Sequence, residues 1–134
     1  KKIEKIIEEN LDTEQFVYEI RYTQAIHDGT RIAKEAVAEN IFDAIIAVGG
    51  DGSINDVVAG LKNTGTIMGI IPCGSGNGLA RNLKIPLTPA AAIRLINQFH
   101  VESIDTISVN QFTYASIAGV GFDALVARKM KLAK

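Results

Sequence analysis

Apolar positions change period several times along the 134 residues, and each change predicts an element. Ile3, Ile6, Ile7 and Leu11 recur at helical spacing among Lys and Glu, so an amphipathic helix opens the chain. Phe16, Tyr18, Ile20 and Tyr22 alternate with Val17, Glu19 and Arg21, which is the period of a strand. Ala33, Ala36, Val37 and Ile41 return to helical spacing within a segment over about 28–40. The unbroken run Ala44-Ile45-Ile46-Ala47-Val48 fits a strand buried on both faces, as strands of parallel sheets are. A glycine loop, a helix over 54–61, a strand over 67–71, a second glycine loop and a helix opening near Asn77 follow. Thr88-Pro89 then supplies an N-cap and a first helical residue for a helix through Ile93, Ile96 and Phe99.

Strands alternating with helices predict an α/β fold: an open, mostly parallel sheet with helices on both faces. Beyond about His100 the pattern differs. Segments 103–109 and 113–120 have the alternation of two strands joined by Asn110-Gln111, with no helix between them. The last segment, 124–134, is short, basic and helical in propensity, and its Arg128, Lys129 and Lys131 suit a solvated helix face.

Composition narrows the function. An apolar fraction of 47% supplies a core, and 14 basic against 15 acidic residues leave no broad field for nucleic acid or an anionic surface. The one cysteine, Cys73, forms no internal disulfide, and the default compartment is a reducing cytoplasm. No apolar run approaches the roughly 20 residues that span a bilayer, so if the substrate is a lipid this part meets it from the water side, peripheral to the membrane.

The candidate chemistry lies in the two loops. In Gly49-Gly50-Asp51-Gly52-Ser53 a buried strand runs into three glycines and then a helix. Glycines permit positive φ and close approach, and a helix N-terminus carries partial positive charge, so the arrangement suits a phosphate. It also suits a tight turn with Ser53 as N-cap and Asp56 as its capping-box partner. Neither G-x-x-x-x-G-K-[ST] nor G-x-G-x-x-G is present. Asp51 beside a phosphate calls for a cation or a sugar hydroxyl between them, or else bonds its own backbone in an Asx-turn. The second loop, Cys73-Gly74-Ser75-Gly76-Asn77-Gly78, follows the next strand, and ligands collect at such carboxyl ends of parallel strands. Ser75 and Asn77 either donate to phosphate oxygens or cap the helix behind them. Cys73 reads as packed rather than reactive, and His27 and His100 as surface or structural histidines.

These segments, GGDGSIND from Gly49 to Asp56 and GSGNGLARNL from Gly74 to Leu83, resemble the GGDGT-[IL]-N-E and G-T-[GA]-N-[DG]-[FL]-A-R motifs of the diacylglycerol kinase catalytic-domain superfamily. Ile117 to Ala124 resembles its G-[IL]-G-F-D-A motif. The resemblance implies a fold shared with the NAD kinases, with ATP over the first loop and its γ-phosphate passing to a lipid hydroxyl such as that of diacylglycerol. Carried over, the ATP-contacting residues are Thr23, Gly50, Asp51, Gly52, Ser53, Ile54, Asn55, Asp56 and Ser75. Gly49, Gly74, Gly76 and Asn77 complete the candidate nucleotide site. Ser53 and Asp56 replace the family's threonine and glutamate, and Gly78 stands where many members have aspartate.

The resemblance further implies a division into a nucleotide-binding part, 1–100, and the beginning of a β-rich second domain, 101–134. Family members open with a strand ahead of the first helix. The general base and structural Mg²⁺ ligands are expected outside this chain, so no catalytic or metal residue is assigned, and this segment alone is expected to be inactive. Asp123 reads as a cap of the helix beginning at Ala124 ahead of the alternative that it faces the acceptor headgroup. Homo-oligomer formation is left open. An NAD kinase-like enzyme and a non-catalytic nucleotide-binding module are the alternatives.

Overall fold

Two parallel strands carry the described part of the fold. β1 (Ala44–Gly49) pairs with β2 (Ile67–Pro72) in a register running from Ala44 opposite Ile67 to Gly49 opposite Pro72. The computed structural model describes residues 2–110 and 112–115. Helices α1 (Lys2–Asn10) and α5 (Pro89–Ile96) cover one face of the sheet. On that face Ile7, Ile71 and Ile93 form a buried cluster joined by Ile46. Helices α3 (Asp51–Leu61) and α4 (Gly78–Asn82) cover the other, where Ala47, Ile70, Ile54, Val58, Leu79 and Ala80 are buried together. The α/β architecture with helices on both faces of a parallel sheet is therefore the observed one.

Strand side chains alternate between these faces, so Ala47 and its partner Ile70 meet α3 while Ile46 and Ile71 meet α1 and α5. Gly69, opposite Ile46, leaves the room that Ile46 fills: a Cβ there would lie 2.4 Å from Ile46 Cδ1. Helix α2 (Asp28–Glu39) packs against α3 at close range, with Gly60 against Ala33 and the Thr30 carbonyl. A short antiparallel hairpin, β3 (Ile107–Val109) with β4 (Phe112–Tyr114), follows, and Asn110 at its turn has φ 53°.

Several expectations are corrected. The segment 16–22 forms no strand, because a strand needs a ladder and β1 is paired only with β2 among the described residues. Side chains tether it instead: Phe16 packs on Phe99 with ring centroids 5.7 Å apart, and Arg21 grips both carboxylate oxygens of Glu39 at 2.7 Å. β1 is covered on both faces, yet along it Ala47 alone is fully buried and Val48 is exposed. Among the described residues β1 has a strand neighbour on one edge only. Helix α3 begins at Asp51 rather than Ile54, with Gly50 as N-cap and no side-chain cap bond, so Ser53 lies inside the first turn. Helix α5 ends at Ile96, and Phe99 sits beyond it at φ 46°. The strand expected over 103–109 is confined to Ile107–Val109. The expected strand beyond residue 115, the Ile117–Ala124 motif, Asp123 and the helix over 124–134 lie outside the described residues.

Candidate functional site

At the carboxyl ends of β1 and β2 the pairing continues one step into the loops, where the Cys73 N–H donates to the Gly49 carbonyl at 2.9 Å. The loops then touch backbone to backbone. A Cβ on Gly74 would lie 2.5 Å from Gly50 Cα, and one on Gly50 would lie 3.1 Å from Gly74 Cα. The glycines here satisfy a demand for space and not for left-handed backbone, because Gly65 is the one described glycine with positive φ. The left-handed residue of the second loop is Asn77, at φ 52°.

Asn77 also shapes that loop. It is 6% exposed, its Oδ1 accepts the Gly74 N–H at 2.9 Å, and its Nδ2 donates to the Gly74 carbonyl at 2.7 Å. The amide is thus committed to the loop itself and makes no side-chain cap on α4. Arg81 holds the other end of the loop, its Nε donating to the Gly76 carbonyl at 2.8 Å. No hydrogen bond among the described residues uses the Ser75 or Gly76 N–H, and both residues are exposed. Across the gap, Gly52 and Ser53 occupy the first turn of α3, where helix N–H groups have no intrahelical partner, and both are exposed.

Asp51 bridges the loops. Its Oδ1 accepts the Leu79 N–H of α4 at 3.4 Å, and a Cβ on Gly76 would lie 3.0 Å from its Oδ2. The carboxylate reaches across to the helix start behind the second loop.

The remaining residues of the first motif point elsewhere. Ile54 is fully buried in the α3 core. Asn55 Oδ1 accepts the Ala115 N–H at 3.2 Å, tying the motif to the hairpin. Asp56 serves the α2–α3 contact: its Oδ1 lies 2.9 Å from His27 Nδ1, and its carbonyl accepts the Thr30 hydroxyl at 2.9 Å. Thr23 is exposed in the stretch before α2. The next residue, Gln24, donates its N–H to Asp28 Oδ2 at 3.0 Å, and this bond, followed by Arg31, holds the Asp28 carboxyl below its usual range. Cys73 is exposed rather than packed, and partial desolvation pushes its thiol upward, away from the reactive thiolate. His100 is exposed and meets Glu102 at 3.4 Å.

Sequence reasoning thus brings Gly49 to Ser53 and Gly74 to Asn77 to one place. It missed the His27–Asp56 pair and the bracing of the second loop by Asn77 and Arg81. Spacing gives no sign of either, since both arise from helix placement.

A depression of about 490 Å³ adjoins the second loop, bounded by Ile3, Ile6, Pro72, Leu87 and Pro89. A larger one of about 730 Å³ lies on the flank by Met68, Leu83 and Ile96 and touches neither loop. Among the described residues no helix is long and apolar enough to cross a membrane, and no group of three His, Cys, Asp or Glu side chains is placed to hold a metal ion.

A parallel sheet whose adjacent strands end in abutting glycine loops defines an α/β protein with its candidate chemistry at the strand ends. The family is identified by comparison: residues 1–109 match the diacylglycerol kinase catalytic domain, and the chain belongs to that family. It is 36% identical over 101 residues to a diacylglycerol kinase of Staphylococcus aureus, covering 74% of this chain and 32% of the relative. It is 33% identical over 111 residues to a protein of Chromohalobacter salexigens named a probable lipid kinase, YegS-like, covering 80% and 35%. The crystal structure of a diacylglycerol kinase from Bacillus anthracis superposes with a TM-score of 0.65 at 31% identity, covering 71% of this chain and 33% of that one. The chain spans about a third of the length of these relatives.

Proposed function

We propose that this chain is the ATP-binding part of a lipid kinase that transfers the γ-phosphate of ATP to a lipid hydroxyl such as that of diacylglycerol. The observation that carries the reading is the backbone contact between Gly50 and Gly74, which sets the first turn of α3 beside the Ser75-Gly76 stretch. Two sets of N–H groups with no protein acceptor among the described residues, one of them at the positive end of an 11-residue helix, suit the oxygens of a polyphosphate. The names of the relatives supply the acceptor class.

Within this reading the donors are the N–H groups of Gly52, Ser53, Ser75 and Gly76 with the Ser53 and Ser75 hydroxyls. Gly49, Gly50, Gly74 and Asn77 shape the loops, and Thr23 approaches the nucleotide from the exposed segment before α2. Ile54, Asn55 and Asp56 act behind the loop, through the core, the hairpin and α2. Mg²⁺ fits as a companion of the nucleotide, because the Asp51 carboxylate lies at the loops, beside Gly76 and the start of α4. It would be held by phosphate oxygens, water and Asp51, and it would offset charge on the transferring phosphoryl group. The segment 101–134 begins a second, β-rich domain in this reading, and the general base comes from outside the chain. The protein works in the cytoplasm and meets its lipid at the membrane surface.

The test is a kinase assay of the complete gene product with diacylglycerol, a sphingoid base and NAD as acceptors. Phosphate transfer to a lipid is expected. Transfer to NAD and to no lipid would replace the reading with an NAD kinase.

A further inference from the structure

The described arginines differ in how their charge is met. Arg21 is ion-paired with Glu19 and Glu39, and Arg31 with Asp28 and Glu35. Arg94 bonds the Asn10 side chain through Nη1. Arg81 is exposed, its Nε is fixed on the Gly76 carbonyl, and no carboxylate among the described residues pairs with it. Its two terminal nitrogens have no protein acceptor among those residues, although Asp51 Oδ2 also comes close to Gly76, 3.0 Å from where a Cβ would stand. A guanidinium is planar, so anchoring Nε limits how the Nη1/Nη2 end can turn, and that end matches the spacing of two phosphoryl oxygens.

We infer that Arg81 is a phosphate-binding residue: the Gly76 carbonyl holds its guanidinium at the second glycine loop, where its terminal N–H groups bind a phosphoryl oxygen of the nucleotide. The inference rests on the phosphate reading of the loops and adds to it the positive side chain that the loops otherwise lack. Four backbone N–H groups supply only partial charges, whereas a polyphosphate brings several full ones beside the carboxylate of Asp51. Arg81 offsets both. The bond from Nε also gives the residue a second task, holding the Gly76 carbonyl on the helix side of the loop.

The test is calorimetric titration of ATP with Mg²⁺, and separately of adenosine, into the complete gene product as wild type and as R81Q and R81K. Both substitutions are at an exposed position, and matching far-UV circular dichroism checks that folding is preserved. Glutamine keeps an N–H donor within reach of the Gly76 carbonyl but removes the charge; lysine keeps charge without the fork. ATP affinity is expected to fall about tenfold in R81Q, the size of one charge-assisted hydrogen bond, and less in R81K, with adenosine unchanged. Equal ATP affinity in wild type and R81Q overturns the inference while leaving the phosphate site standing. Equal loss for ATP and adenosine also overturns it, since that is the mark of a merely structural brace. A wild-type protein that binds ATP no better than adenosine overturns the phosphate reading itself, and this inference with it. The last arm replaces ATP with vesicles of phosphatidylglycerol or phosphatidylcholine. If R81Q lowers binding to the anionic vesicles alone and leaves ATP untouched, the guanidinium serves a lipid headgroup and the inference fails.

Discussion

The two glycine loops end neighbouring parallel strands, yet different means hold them in shape. The first is fixed by the helix behind it: α3 runs 11 residues, the Ile54 N–H bonds the Gly50 carbonyl at 3.1 Å, and the fully buried Ile54 pins the first turn to the core. The second leads into α4, which has five residues and is too short to hold much by itself. Its shape comes from side chains, with Asn77 closed on both polar groups of Gly74 and Arg81 on the carbonyl of Gly76. A loop backed by a long packed helix inherits its order from the core. A loop backed by one turn must carry its own braces.

The sharpest way to break this contrast is to force the loops apart. In G74A the new methyl meets the Gly50 backbone, which no rotamer change relieves, and also Asn77 Oδ1 at 2.9 Å. A loss of about 3 kcal/mol in urea unfolding is expected, at the upper end of overpacking costs. A loss below about 0.5 kcal/mol, within the range of an ordinary surface change, would mean that the loop contact is slack.

The first loop should respond more gently and in a repairable way. A Cβ on Gly49 would lie 2.6 Å from Ser53 Oγ and 2.7 Å from Ser53 Cβ, both within one side chain. G49A is expected to cost about 1–2 kcal/mol, and S53G in the same chain should recover part of it. A double-mutant cycle reads this as a coupling on the order of 1 kcal/mol, as contacting pairs give. Strict additivity of G49A and S53G would show that the clash is absorbed elsewhere. G74A has no such partner to delete, because its principal obstacle is backbone.

The contrast also explains what was legible in the sequence. Both loops and the strands and helices around them follow from apolar periodicity and glycine placement, since the strand runs at 44–48 and 67–71 need no partner to be recognised. The segment 16–22 has the same alternation but no ladder, and alternation records only a tendency that pairing must complete. The helix start at Asp51 was hidden because Ser53 and Asp56 mimic a capping box, while Gly50 caps without a side chain. Asn77 was identifiable as a loop residue, but its two bonds to Gly74 depend on a left-handed backbone that spacing does not encode. The first motif similarly hid a division of labour. Gly50 to Ser53 remain at the loop, and the next three residues turn to the core, the hairpin and α2 because they lie on successive faces of a helix.

Gly52 gives the smallest expected change and separates fold from ligand most cleanly. It lies in the first turn of α3, its φ is not positive, and a Cβ there would meet nothing within 4 Å. The fold therefore gives no reason for glycine, and glycine in a helix costs about 0.5–1 kcal/mol relative to alanine. G52A is expected to raise the unfolding free energy by roughly 0.5 kcal/mol, because it restricts the unfolded chain without straining the folded one. The same methyl would stand on the exposed side of the loop, where the proposed phosphate approaches the backbone, so affinity for ATP with Mg²⁺ should fall as stability rises. A G52A chain that is more stable and binds ATP as the wild type does would show that ligand does not approach at this turn. Opposite signs in the two measurements would mean that the open space at Gly52 belongs to the ligand, which distinguishes it from the space at Gly74 that belongs to Gly50.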